Sequence, residues 1–309
     1  MAQVRGVVPQ LYDNVDKTVF SLFQKQLKDT PGYYKKLFTV ETSDRKFERN
    51  FSYVQFGQMP LKPEGQDFPT QLVQAGYSKD LTAAEFGLGF EITLTAQEDD
   101  VYDVLNQYAP ALARSARVAE ESLAAGILNN GFTTEQSPDG VSIFNTAHAL
   151  KLGGTARNRR DAALSSLNLQ QAIIDLVTDQ KSEEGFFTLA QDGLELHVPP
   201  ALMMTAERVV SSPGLPGTNA NDINPINKNY AITIVVNPYL SAAAGGSDTQ
   251  WFLFYKGKRH GLVSYTRIPI SAMPPERLPK SGNRFYAMRF RRSVGCARGW
   301  QGAYGSAGA

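Results

Sequence analysis

A chain of 309 residues can hold one large or two medium domains, and a composition of 42% hydrophobic and 20% charged residues excludes disorder on a large scale. The 31 Lys and Arg against 30 Asp and Glu leave a formal net charge of +1, so no global field draws the molecule to nucleic acid or an acidic membrane, and any DNA contact has to be local and weak. The single cysteine, Cys296, excludes an intrachain disulfide framework and a cysteine-based zinc site; it is expected as a small buried residue, and Met1 to Gln10 lack the order of a signal peptide.

In residues 1–54, Val15, Val19, Leu22 and Phe23 share one helical face too short to make a core alone, which predicts an arm packed on something else. From Gln55 to Phe68 the glycines and prolines Gly57, Pro60, Pro63 and Gly65 predict an extended hairpin-like loop, flanked by Phe51, Tyr53, Val54 and Phe56 and by Tyr77. Phe86, Leu88, Phe90, Ile92 and Leu94 alternate with Gly and polar residues, the pattern of a strand with one buried face. Val101, Val104, Leu105, Tyr108, Leu112, Ala116, Ala119, Leu123 and Ile127 recur at helical steps and predict one long helix over 99–130, about 45 Å at 1.5 Å per residue. Asp99 and Asp100 would cap it, Pro110 should kink it or delay its start, and Asn129 to Gly131 would stop it.

Gly131 to Arg160 is rich in turn residues, and a second lobe is expected to begin there. A helix capped by Ser165 or Ser166, a strand over Leu194 to Val198 and a helix from Ala201 to Val210 follow. Pro213 to Asn229 should be an exposed loop. Strands are expected at Ala231 to Val236, Trp251 to Tyr255, Leu262 to Ile268 and Arg284 to Arg292, with a loop from Pro269 to Pro279 and a frayed tail after Trp300.

Catalytic patterns are scarce. His148, His197 and His260 lack the spacing of metal ligands and are expected as surface or satisfied loop residues. Gly87-Leu88-Gly89 sits inside an alternating strand and reads as close strand packing rather than a phosphate loop. Glu98-Asp99-Asp100 could do acid/base or magnesium chemistry, but helix capping explains them with fewer assumptions. Arg289, Arg291, Arg292 and Arg298 form the one basic patch, to be used for ion pairs between subunits or for DNA phosphate.

Several short motifs fall in a recognisable order: Glu98-Asp99-Asp100; Asp139-Gly140 with Phe144 and His148; Leu194 to Leu202; Val235 to Leu240; Trp251-Phe252-Leu253; and Arg298 with Trp300-Gln301-Gly302. In this order and spacing the chain resembles the Mu-like major head subunit family of tailed bacteriophages, over about Phe86 to Tyr304. The resemblance implies an α+β, Hong Kong 97-type capsid fold with an N-terminal arm (1–54), an extended loop (55–85), a peripheral domain (86–160) with a spine helix, an axial domain (161–260) and returning strands with a tail (261–309).

The function it implies is a major capsid protein, without catalysis or cofactor, whose hexamers and pentamers enclose double-stranded DNA. The head would be assembled in the host bacterial cytoplasm with portal and scaffold proteins, with or without a decoration or minor capsid protein. Since the chain starts at Met1, the scaffold is expected as a separate protein. Phe51, Tyr53, Phe56, Phe68 and Tyr77 are then the expected anchors between subunits, because aromatic side chains dominate interface energetics. Rival readings are an encapsulin-like compartment shell, a hydrolase using Glu98 to Asp100, and a monomeric binding module.

Overall fold

The structure, a computed structural model, describes residues 19–29, 32–93, 95–96, 104–187, 193–214, 223–258 and 260–308. Val15, Leu94 and Glu98 to Val101 lie outside the described residues. Residues 19–29 form helix α1. After it come α2 (Tyr34–Leu37), β1 (Thr39–Thr42), β2 (Phe47–Val54), β3 (Gln74–Thr82), β4 (Ala84–Ile92) and α3 (Val104–Asn129). Next are the short β5 (His148–Ala149) and β6 (Thr155–Ala156), α4 (Ser166–Thr178), β7 (Leu194–Val198), α5 (Met203–Ser211), α6 (Pro225–Asn229) and β8 (Ile232–Val236). The strands β9 (Trp251–Tyr255), β10 (Leu262–Ala272), β11 (Glu276–Arg277), β12 (Arg284–Cys296) and β13 (Ala303–Ser306) follow.

Two sheets organise the molecule. In the first, β1 runs parallel to β10, β10 antiparallel to β12, and β12 pairs along its other edge with β4, from Arg284 opposite Ile92 to Arg292 opposite Ala84. Against it pack α1 and the first half of α3: Val19 and Phe23 are buried with Ile92, Leu112, Tyr286 and Met288, so the arm does rest on another element. The second sheet has the order β13-β9-β7-β8 and packs against α4 and α5 through Leu169, Leu176, Leu196, Val209 and Trp251. Between the two, a core around Phe144, Phe252, Phe254, Leu128 and Leu262 makes the sheets one body.

Local chemistry explains the boundaries. Ser165 caps α4 by accepting from the Asn168 N–H at 3.2 Å. A Cβ on Gly131, just past α3, would meet the Phe144 ring at 2.9 Å, so the helix stops where its end can pack closely. Gly89 answers the G-x-G pattern in the same way, since a Cβ there would meet Phe285 at 2.5 Å and the Tyr286 carbonyl at 2.8 Å.

Five expectations need correction. The buried stripe of α3 runs through Ala109, Ala113, Glu120, Ala124 and Leu128, while Tyr108 is 49% exposed. Leu112 and Ile127 are buried as expected, but the buried face is centred toward the alanines and the paired Glu120, so Tyr108 at its edge is left in water. On β4, Leu88 is 57% exposed, because α3 covers only part of the face that carries it. Part of the expected loop from Pro213 to Asn229 is the helix α6, whose first turn holds Pro225 and is capped by Asn224.

β10 also continues past Ile268 through Pro269 to Ala272; β1 pairs only as far as Thr266, so Pro269 lies on an unpaired edge where no N–H is needed. Nor is the tail frayed. β13 pairs with β9 from Ala303 opposite Phe254 to Ser306 opposite Trp251, and the Tyr304 hydroxyl donates to Asp175 at 3.4 Å. Its residues are small because a Cβ on Gly305 would meet the Phe144 ring at 2.6 Å.

Tyr304 is 1% exposed in the second lobe's core. Tyr304→Ala should therefore lower unfolding stability by about 3–5 kcal/mol in urea titrations, against less than about 1 kcal/mol for the exposed Leu167→Ala. An unchanged midpoint for Tyr304→Ala would mean that the tail does not belong to the core.

Candidate interaction surface

Strands β2 and β3 form an antiparallel hairpin, Phe47 opposite Thr82 and Val54 opposite Gln74, with a register shift between Phe51 and Tyr53. All of β2 lies before Gln55, where the extended loop was expected to start. At the shift the two chains come close: a Cβ on Gly76 would sit 2.8 Å from the Ser52 carbonyl, so only glycine fits. Residues 55–73 join the strands with no regular element except a turn near Gly65, whose φ of 79° favours glycine.

This connection carries the largest run of uncovered apolar side chains among the described residues. Phe56, Met59, Leu61, Phe68, Leu72 and Val73 are all more than half exposed, Leu61 at 92%. The aromatic residues singled out from sequence divide into two groups. Phe51 and Tyr53, edge to face at 5.4 Å, and Phe56 and Phe68 point into solvent, and Lys62 lies 4.7 Å from the Phe68 ring. Tyr77 instead faces the body, where its hydroxyl donates to the Ala149 carbonyl at 3.0 Å and Lys151 covers its ring. The aliphatic residues Met59, Leu61, Leu72 and Val73 were not singled out; their signal was apolar side chains placed among prolines and glycines, where no core can form.

The hairpin's root is tied to the body by bonds to main chain and side chain. The Tyr265 hydroxyl donates to Asn50 at 2.6 Å, the Gln55 N–H donates to Glu184 at 2.9 Å, and Lys79 donates to the Gln136 carbonyl. Thus the base is fixed while the tip reaches out.

The four arginines do not form one free patch. Arg289 and Arg291 both face Glu85, at 3.1 and 3.7 Å, and Arg298 meets Glu41 at 2.7 Å. Arg292 is buried: it contacts Glu120 at 2.6 Å, donates to Thr266 Oγ1 at 3.0 Å and covers the Tyr34 ring at 4.4 Å. Arg117 also binds Glu120, while the neighbouring Glu121 accepts from the Tyr34 N–H at 3.0 Å. The second carboxylate of this buried cluster is held less well. Burial pushes Glu121 up to about 7, the backbone N–H of Tyr34 opposing the shift.

All three histidines are buried and satisfied rather than at the surface. His148 holds Asp139 at 2.6 Å through Nδ1 and Asn158 Oδ1 at 3.0 Å through Nε2, and it stacks on Trp300 at 4.2 Å. Burial raises Asp139, but bonds from His148 and Ser137 outweigh it and hold the carboxyl below its ordinary value. Neither ring nitrogen meets a hydroxyl or thiol, so this pair ties loops together and activates no nucleophile. Burial depresses His197, and it takes His260 down to about 4. Cys296 is buried with its thiol pushed up to about 12, the inert core residue expected. Among the described residues no group of three or more His, Cys, Asp or Glu could hold a metal ion.

Comparison with known proteins fits this arrangement. A family model described as phage capsid protein matches residues 76–305. No curated protein sequence matches the chain. Among solved structures, the capsid of cyanophage P-SCSP1u superposes with a TM-score of 0.60 at 13% identity, over 90% of this chain and 88% of that one. The mature capsid of bacteriophage PhiM1 gives 0.57 at 12% identity, over 91% and 88%. A virus-like particle from Pyrococcus furiosus gives 0.52 at 10% identity, over 94% and 98%.

Glu121 supplies a pH signature. Its folded value near 7 lies above the ordinary 4.5, so the folded state holds the proton more tightly than the unfolded chain. Its ionisation is therefore expected to remove stability as pH rises from about 4.5 through about 7, by roughly 3 kcal/mol. Glu121→Gln should flatten stability against pH across that window in urea titrations; a variant with the native slope would assign the proton elsewhere.

Proposed function

Because the chain belongs to the phage capsid protein family and has the Hong Kong 97-type capsid fold, we propose that it is the repeating subunit of a Mu-like head lattice, forming hexamers and pentamers around double-stranded DNA. The observation that carries the proposal is the hairpin: a rigid base and a tip of exposed Phe, Met and Leu side chains that this chain alone does not cover. A monomer leaves that surface in water, at a cost of about 25 cal/mol for each Å² of apolar area. A neighbouring copy removes the cost, and specific interfaces need only about 800 Å² per partner.

On this reading residues 1–54 act as the arm, 55–85 as the loop that grips a neighbour, 86–160 as the peripheral tile and 161–260 as the axial lobe, with 261–309 returning to complete the tile. β13 adds a strand to the sheet of the second lobe, so the returning segment serves both lobes. The protein is then a structural component of the virion rather than an enzyme. Assembly takes place in the host bacterial cytoplasm alongside portal and scaffold proteins, with room for a decoration or minor capsid protein. The encapsulin-like alternative shares the fold, but the phage family match favours a head. The hydrolase alternative rests on Glu98 to Asp100, outside the described residues, with no nucleophile on the one His–Asp pair beside a ring stack.

Phe56→Ser with Phe68→Ser should leave a folded subunit, since neither ring belongs to the core, yet abolish shells. Circular dichroism checks the fold and negative-stain electron microscopy counts shells. Intact shells from the double variant would defeat the role given to the hairpin tip.

A further inference from the structure

The four arginines are turned toward carboxylates, but another set of cations is not. Lys35 and Lys36 end α2, and Lys256 and Lys258 flank the turn after β9; all four are exposed. These two segments meet where the His260 side chain bonds the Leu37 backbone. Leu37, next to Lys36, lines one small cavity with His197, and the rings of His197 and His260 both pack on Phe254, at 5.3 and 5.2 Å, so the lysines of α2 and of the turn after β9 lie on adjoining segments. Glu195 is the acid that faces them, and it is engaged by His197 at 3.4 Å. None of the four lysines has an ion-pair partner among the described residues; Lys35 and Lys36 rest on the rings of Tyr34 and Tyr33 at 5.9 and 5.8 Å.

The turn itself is unusual. Gly257 has φ 80° and Lys258 φ 59°, the only non-glycine residue in the left-handed region among those described. Asparagine or glycine would sit there with less strain, so a lysine occupies this exposed turn at a cost in backbone energy. The turn is pinned by the Lys256 N–H donating to the Gly193 carbonyl at 3.1 Å. A group of exposed ammonium ions suits a row of phosphates better than a single small anion, which would need an enclosed pocket.

We infer that Lys35, Lys36, Lys256 and Lys258 form the surface that contacts the phosphate backbone of double-stranded DNA, and so mark the genome-facing side of the subunit. This rests on the reading of the chain as a DNA-enclosing shell subunit. A net charge of only +1 does not stand against it, because the contact uses a local group of lysines while Arg289, Arg291 and Arg298 face Glu85 and Glu41.

The test is fluorescence anisotropy of a labelled short duplex with the full chain across a salt series. Each phosphate contact contributes about 0.9 to the slope of log affinity against log salt, so changing all four lysines to Gln should flatten the slope by roughly 3–4. Equivalently, the native chain should lose roughly a hundredfold more affinity than the variant between about 50 and about 200 mM salt. Arg289→Gln with Arg291→Gln should leave the slope as it was. Should the fourfold variant misfold by circular dichroism, Lys256→Gln with Lys258→Gln in the exposed turn is expected to give about half the flattening. A native slope in these lysine variants, equal flattening from the arginine pair, no duplex binding by the native chain, or equally tight lysine-dependent binding of polyglutamate would overturn the assignment. Negative-stain images of the native chain separate the two readings: shells with an unaltered slope in the variants sink the lysine surface alone, whereas absence of shells sinks the shell reading.

Discussion

The contact between Glu120 and Arg292 fixes how the long helix lies on the first sheet. Both groups are almost wholly removed from water, and the attraction between them has to offset the loss of two hydration shells. Such a pair gives little net stability, but it is unforgiving of misplacement, because leaving either charge alone in the interior costs about 3–5 kcal/mol. Arg117, Tyr34 and Thr266 bond the same two groups, so α2, α3, β10 and β12 are held in one register by a single polar knot. A rotation of α3 by one residue would break it, and with it the burial of Ala113 and Ala124 on the same face.

That knot explains what could and could not be read from the chain. Strands such as Trp251–Tyr255 and Leu194–Val198 are legible because they are apolar runs bounded by turn residues, a purely local signal. The helix over 104–129 is legible through Leu112 and Ile127, which are buried, but the centre of its buried face is not, since apolar periodicity counts Tyr108 and discounts Glu120, and only the distant Arg292 makes a buried glutamate tolerable. The tail misleads for a similar reason. Ala303, Gly305 and Ser306 look like frayed ends in sequence, yet small residues are what a strand needs when the Phe144 ring and the Ala162 carbonyl crowd it.

The exposed apolar surface was half legible. Aromatic residues between prolines announce an exposed loop, and Phe56 and Phe68 are exposed on it. Tyr77 has the same chemistry but the opposite facing, because Ala149 offers its hydroxyl a carbonyl. The arginine-rich strand β12 shows the limit of counting charges in sequence: its cations are answered by Glu85 and Glu120 from segments far away in the chain. The motifs that carry the family resemblance turn out to be architectural. Asp139, His148 and Trp300 meet in one buried stack that joins two loops.

The first sheet has a kinetic consequence. Its strands come from opposite parts of the sequence: β1 pairs with residues near 263, and β4 with residues near 290. Pairings over such separations form late, after much chain entropy has been lost, and the waiting chain exposes strand edges to its neighbours. In a cell making many copies at once, that interval is when subunits are most prone to aggregate. A shell built from this tile would therefore have a quality gate: the hairpin can pair locally, but the body that anchors its base is complete only after the most distant parts of the chain have found each other.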